Sequence, residues 1–190
     1  MKVLASKSER QQCVKDIVYR VNAMLAWDLM VYVKEKYKPK NERENKESVY
    51  GQSQVVVPAL EISIVFGRQL LEFLKITWDR STGKLDEFPQ KNRKTYPDDI
   101  LILSLYPSLT TRPLQDPTVA ANEVHLIRLI KVANKAAAHL TTTSTTDDEF
   151  ESMKIARQVI YQLVLKYVPD IATSDIWWTT KDDQRNAILE

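Results

Sequence analysis

Residues 59–74 read ALEISIVFGRQLLEFL, and the spacing of their apolar side chains decides what kind of fold the chain builds. With Val55, Val56 and Val57 just upstream, Leu60, Ile62, Ile64, Val65, Phe66, Leu70, Leu71, Phe73 and Leu74 leave little polar surface on a helix predicted from about Gln54 to Ile76. A helix apolar on so many sides has to be the central one. Pro58 is tolerated if it lies in the first turn, where its missing N–H costs nothing, and kinks the helix if the helix begins earlier. Glu61, Arg68, Glu72 and Lys75 would each cost about 2.5 to 3.5 kcal/mol at the middle of a bilayer, so the segment is core and not a membrane span. Arg68 and Glu72 are spaced for an i,i+4 ion pair.

Working outward, Val14, Ile17, Val18, Val21, Met24, Leu25 and Leu29 follow three- and four-residue steps and predict a long first helix from Ser8 to about Tyr37. Lys34, Lys36 and Lys38 suit the negative end of its dipole, and Pro39 stops it. Residues 38–47 carry both signs of charge and nothing to bury, which predicts a solvated connection. Residues 77–116 turn irregular, with Gly83, Pro89, Pro97, Pro107 and Pro113 around the apolar run 100–106, ILILSLY. Asp98 or Asp99 is the candidate cap of a short helix there, a short strand being the alternative. Asp116 as N-cap and Pro117 at the first helical position start a third helix reaching about Leu140. Thr141 to Thr146 form a hydroxyl-rich turn that competes with helix hydrogen bonds. Asp148 and Glu151 resemble a capping box opening a fourth helix, which carries Met153, Ala156, Val159, Ile160, Leu163, Val164 and Tyr167 on one side and ends before Pro169. The expected fold class is all-α: an antiparallel bundle of about four main helices, with a long irregular insertion between the second and third. Residues 1–168 make the bundle, and 169–190 form a C-terminal extension packed on or flanking it.

Composition agrees with this class. At 190 residues, 44% hydrophobic and 27% charged, the chain suits one domain with an ample core, and three glycines are too few for the many tight turns of an all-β fold. Cys13 is the sole cysteine, so no intrachain disulfide is formed; with no apolar run of a secretory signal at the start, the expected setting is cytoplasmic. A net charge of +2 argues against holding nucleic acid by bulk charge. There is no P-loop, no GxGxxG and no HExxH, and His125, His139 and Cys13 are too few and too scattered for zinc. No metal and no cofactor is therefore expected. The acid pairs at 98–99, 147–148 and 182–183 read as caps and solubilising groups.

Chemistry concentrates on the third helix. Arg128, Lys131, Lys135 and His139 fall at offsets 0, 3, 7 and 11 and share one ridge, with His125 a turn earlier. Cations about 5 to 6 Å apart can follow a phosphate chain, and the competing reading is a plain solvated face. His139 stands near a helix C-terminus, where the partial negative charge favours its protonated form; it is a candidate acid or base, or a cap for a free carbonyl.

The stretch 59–74 on a central helix, together with 134–139, NKAAAH, on a later one, resembles the HEPN superfamily of small α-helical bundles. Its members are often dimeric and occur in prokaryotic toxin–antitoxin, abortive-infection and RNA-processing systems. The resemblance covers roughly residues 8–168. It implies a homodimer, RNA or a nucleotide as ligand, an antitoxin-type protein as a further partner, and no membrane. In active members an arginine precedes a histidine by four to six residues, and a dimer sets two such motifs over RNA. Here His139 carries over, but the position five before it is Asn134, four before it is Lys135, and Arg128 lies too far back. Lysine lacks the planar fork that grips a phosphate through two bonds, so catalysis is expected to be impaired or absent. Arg68 is the candidate to supply the missing guanidinium from the central helix. The expected function is a HEPN-like domain binding RNA, a nucleotide or a partner protein. The alternatives are a divergent metal-independent ribonuclease using His139, and a structural or regulatory dimeric adaptor anchored by Trp177 and Trp178.

Overall fold

The computed structural model describes residues 4, 6–36, 59–89, 99–138, 147–172 and 175–176. Most of them are helical. The first helix, α1 (Lys7–Lys36), starts one residue before the apolar periodicity places it, because Ser6 and Glu9 form a capping box. Ser6 Oγ accepts from the Glu9 N–H at 3.1 Å, and the Glu9 carboxylate accepts from the Ser6 N–H at 3.1 Å. Cys13, Ile17, Val21, Met24 and Leu25 bury the stripe that the spacing marks out.

Helix α2 (59–73) crosses α1 through an edge-on contact of Tyr19 with Phe66 and a bond from Arg20 Nε to Gln69 Oε1 at 3.3 Å. Gly67 lets it approach the two later helices closely: a Cβ there would lie 3.2 Å from a Leu129 methyl and 3.6 Å from an Ile160 methyl. The helix expected to be central still shows one side to solvent at its start, where Glu61 and Ile62 are exposed. It also ends earlier than Ile76. Lys75 takes a left-handed backbone, φ 65°, and turns the chain directly into a strand.

That strand belongs to the one feature the all-α expectation omits, a two-stranded antiparallel sheet of β1 (Ile76–Trp78) and β2 (Leu85–Glu87). Ile76 pairs with Glu87, Thr77 with Asp86 and Trp78 with Leu85. A β-branched and aromatic triplet suits a strand, and the turn between has its own chemistry. The Asp79 carboxylate accepts from the Ser81 N–H at 2.9 Å and from the Thr82 hydroxyl at 2.8 Å, and Gly83 supplies the positive φ of 74°. Strands of three residues are too short to show a period-two alternation in sequence.

The apolar run at 100–106 folds as a one-turn helix, α3 (Ile102–Leu105). Its N-cap is Leu101, not either aspartate, and the Ser104 hydroxyl accepts from the Leu101 N–H at 3.2 Å. After a 3-10 turn at Pro113–Gln115, Asp116 caps α4 (Pro117–Ala121) as predicted, but the helix breaks at Asn122 before α5 (Glu123–Ala138) resumes. The Glu123 carboxylate at the break accepts from the Leu85 N–H at 2.9 Å, which fastens β2 to the start of α5. Helix α6 (Asp147–Tyr167) ends before Pro169 as predicted.

One core cluster joins α1, α2, α3, α5 and α6, and Ile171 and Ile176 from beyond α6 are buried in it. The Asn22 amide also donates to the Asp175 carbonyl at 3.2 Å, so the beginning of the C-terminal extension is part of the packed interior. No helix among the described residues is long and apolar enough to cross a membrane. The expectations for Pro58, for the connection at 38–47, for the turn at 141–146 and for Trp177 and Trp178 lie outside the described residues.

Candidate functional site

Helix α5 carries the predicted ridge. Arg128, Lys131 and Lys135 are all exposed, each three or four residues from the next, so successive turns stack them on one face. Lys131 Nζ lies 4.6 Å over the Trp78 ring, a cation–π contact that docks the ridge against β1. Neither Arg128 nor Lys135 has an ion-pair partner among the described residues. Asn134 is half-buried, one step around the helix from the ridge.

His125 does not continue this line. Its Nδ1 is 2.8 Å from the hydroxyl of Ser152, which is buried, so the ring is turned toward α6. His139, the residue on which both the acid–base and the family readings centre, lies outside the described residues.

Arg68 is committed locally. Its Nε and Nη2 both donate to Glu72 Oε1, at 3.1 and 2.9 Å, the i,i+4 pair that the spacing predicts. Glu72 in turn lines a cavity shared with α1. Among the described residues no hydrogen bond or ion pair links Arg68 to Asn134, Lys135 or the ridge.

The polar group that sequence reasoning missed is Arg157. It is fully buried, and its Nε and Nη2 grip the two oxygens of Asp28 from α1 at 2.8 and 2.7 Å. The guanidinium carbon lies 4.7 Å over the Trp27 ring, which itself stacks on Phe150 with centroids 5.7 Å apart and planes within 7° of parallel. Nη1 of Arg157 has no hydrogen-bond partner among the described residues. A signal was present in the sequence. Arg157 falls four residues after Met153 and three before Ile160, and Asp28 falls four after Met24, so each is a lone charge on a buried stripe, and the two are opposite in sign.

A second polar knot holds the start of α4. Asp116 is buried, accepting from the Thr118 N–H at 2.9 Å, from Lys166 Nζ at 2.6 Å and from the Tyr167 hydroxyl at 3.0 Å. Burial alone would raise its pKa; the donors from Lys166, Thr118 and Tyr167 outweigh it and hold the carboxyl down at about 2. Burial, and then the same contact with Asp116, push the Tyr167 hydroxyl up to about 12. These contacts fasten α6 to the start of α4.

No group of three or more histidine, cysteine or carboxylate side chains suited to a metal occurs among the described residues. No protein-family model, no curated protein and no solved structure matches this chain.

Proposed function

We propose that the chain is a HEPN-like helical module, an antiparallel bundle of about four main helices, that binds single-stranded RNA along α5 and has impaired or no catalysis. The observation that supports this reading best is the exposure of Arg128, Lys131 and Lys135 on one face, where none of the three has an ion-pair partner among the described residues and Lys131 rests over the Trp78 ring. A helix rise of about 1.5 Å per residue sets neighbouring charges along that face at intervals a phosphate chain can follow. Asn134, beside Lys135, adds an amide that both donates and accepts, suited to a ribose hydroxyl or a base edge.

Impaired catalysis follows from the motif. Lys135 and Asn134 occupy the positions where an arginine would precede His139, and Arg68, the candidate substitute, spends its guanidinium on Glu72. Pairing two copies would set two ridges over one RNA, and a partner of the antitoxin type would have to be acidic where it covers the ridge.

Fluorescence anisotropy of a labelled oligonucleotide of mixed sequence tests the reading. Affinity should fall steeply between about 50 and 200 mM salt, and Lys131→Ala or Lys135→Ala should weaken binding and lower the salt slope by about one per lost phosphate contact. Unaltered binding in both variants removes the ridge from the proposal. Gel analysis of the same RNA between pH 5 and 9, beside His139→Ala, separates the enzymatic alternative: cleavage that disappears in the variant makes the protein a ribonuclease.

A further inference from the structure

Three of the four large apolar side chains that stay exposed among the described residues share one side of the molecule, the face made by α1 and α2. Tyr19 of α1 is 60% exposed and Ile62 of α2 is 47% exposed. Phe66, half-buried, meets Tyr19 edge-on and lies one turn after Ile62, so the three form a single patch. Ala23, one turn after Tyr19, and Val65, beside Phe66, widen it. In the other direction the face continues past Arg20 and Gln69, over the cavity beside Cys13, to the exposed Ile100. Single apolar side chains in water are ordinary; gathered on two adjoining helices they mark an interaction surface.

The polar rim says what fits there. Asp16 accepts from Gln12 Nε2 at 2.9 Å, and Arg20 donates to Gln69 and to the carbonyl of Asp16, so these groups are satisfied within the chain. Lys15 and Glu61 are left over: both are exposed, they are opposite in sign, and neither has an ion-pair partner among the described residues. Helices α1 and α2 run antiparallel, since Tyr19 meets Phe66 while Cys13 and Phe73 line one cavity. Lys15, four residues before Tyr19, and Glu61, five before Phe66, therefore stand on opposite sides of the patch centre, each roughly 6 to 8 Å from it along the helices. A two-fold axis through that centre sets Lys15 of each copy toward Glu61 of the other, which makes the face complementary to itself. We infer that the α1–α2 face pairs with the same face of a second copy of this chain. Two short helix faces cover less than the about 800 Å² per partner of a standard interface, so the pair is reversible, dissociating in the micromolar range.

The inference does not rest on the RNA reading, because no residue of the α5 ridge belongs to this face. Sedimentation velocity of the full chain, without RNA, from low micromolar to millimolar concentration tests it and should show a monomer passing into a dimer. Ile62→Glu puts a charge at the centre of an exposed patch and should abolish the dimer, while circular dichroism of the variant matches wild type because the site is not in the core. Lys15→Glu and Glu61→Lys should each weaken the dimer about tenfold, since symmetry repeats the lost contact and the new charge repels its neighbour. The two changes together restore the pairs with their signs exchanged and should return most of the affinity, a rescue that a partner of any other kind would not give. A chain that stays monomeric to millimolar concentration, a dimer that Ile62→Glu leaves intact, or a double exchange that associates no better than the single ones would each overturn the pairing.

Discussion

Arg157 and Asp28 meet across 129 residues of chain in the interior, whereas Arg68 and Glu72 meet across four residues on the flank of α2. The chemistry is the same and the consequences are not. The interior pair is bidentate, sits on the face of Trp27 and ties α1 to α6. Its charges gave up water to form, so neither can lose its partner cheaply. The pair on α2 links neighbouring turns of one helix, and each side chain retains about a fifth of its surface in solvent, 24% and 22%. What differs is the environment each pair occupies, and that environment decides which arginine is structural and which is expendable.

Removing one partner from each pair tests this difference most directly. Asp28→Ala strands the buried Arg157 guanidinium and should destabilise the protein by about 3 to 5 kcal/mol in urea unfolding. Replacing both members by apolar residues of similar volume, as in Asp28→Leu with Arg157→Met, should recover most of that loss. A cost under about 1 kcal/mol for the single change would mean that the interior pair does not tie the helices.

Asp116 lies between the two extremes, buried but held by three different donors. Asp116→Asn should cost about 2 kcal/mol near neutral pH, and the size of the effect should depend on acidity. The folded carboxyl sits at about 2 against an ordinary 3.8, so its contribution is fully present above pH 3.8 and is lost as pH falls from there through about 2. Urea titrations at pH 6, 4 and 3 should therefore show the gap between wild type and Asp116→Asn narrowing as the solution becomes more acidic. A gap that is constant over this range would show that the charge on Asp116 is not what binds Lys166 and Tyr167.

The smallest effect belongs to the flank of α2. Glu72→Ala should cost about 0.5 kcal/mol, less in high salt, since a partly exposed i,i+4 pair is screened and loses side-chain entropy in forming. A loss of 2 kcal/mol or more, insensitive to salt, would place Arg68 and Glu72 in the same class as the interior pair and erase the distinction.

Much of this was legible in the residues. The stripe of α1, the end of α6 before Pro169, the Asp116–Pro117 start and the Arg68–Glu72 pair all follow from spacings of one to four residues. The start of α1 was equally local, in Ser6 and Glu9, but apolar periodicity outweighed the capping pattern. The β1–β2 sheet was not legible, because its three-residue strands draw their order from the Asp79 turn and from Glu123 of α5 as well as from their own composition. Of the candidate site, Arg128, Lys131 and Lys135 have the shared exposed face that their offsets imply. His125, a turn away on paper, is held by Ser152 instead.

The sequence by itself therefore determined the helical class, most helix limits and the basic ridge, since helix period, caps and i,i+4 pairs depend on residues only a turn apart. The tertiary structure alone decided which charges are buried together. The pairing of Arg157 with Asp28, the turn of His125 toward Ser152 and the cavity beside Cys13 depend on how α1, α2, α5 and α6 meet, and on the water excluded where they do.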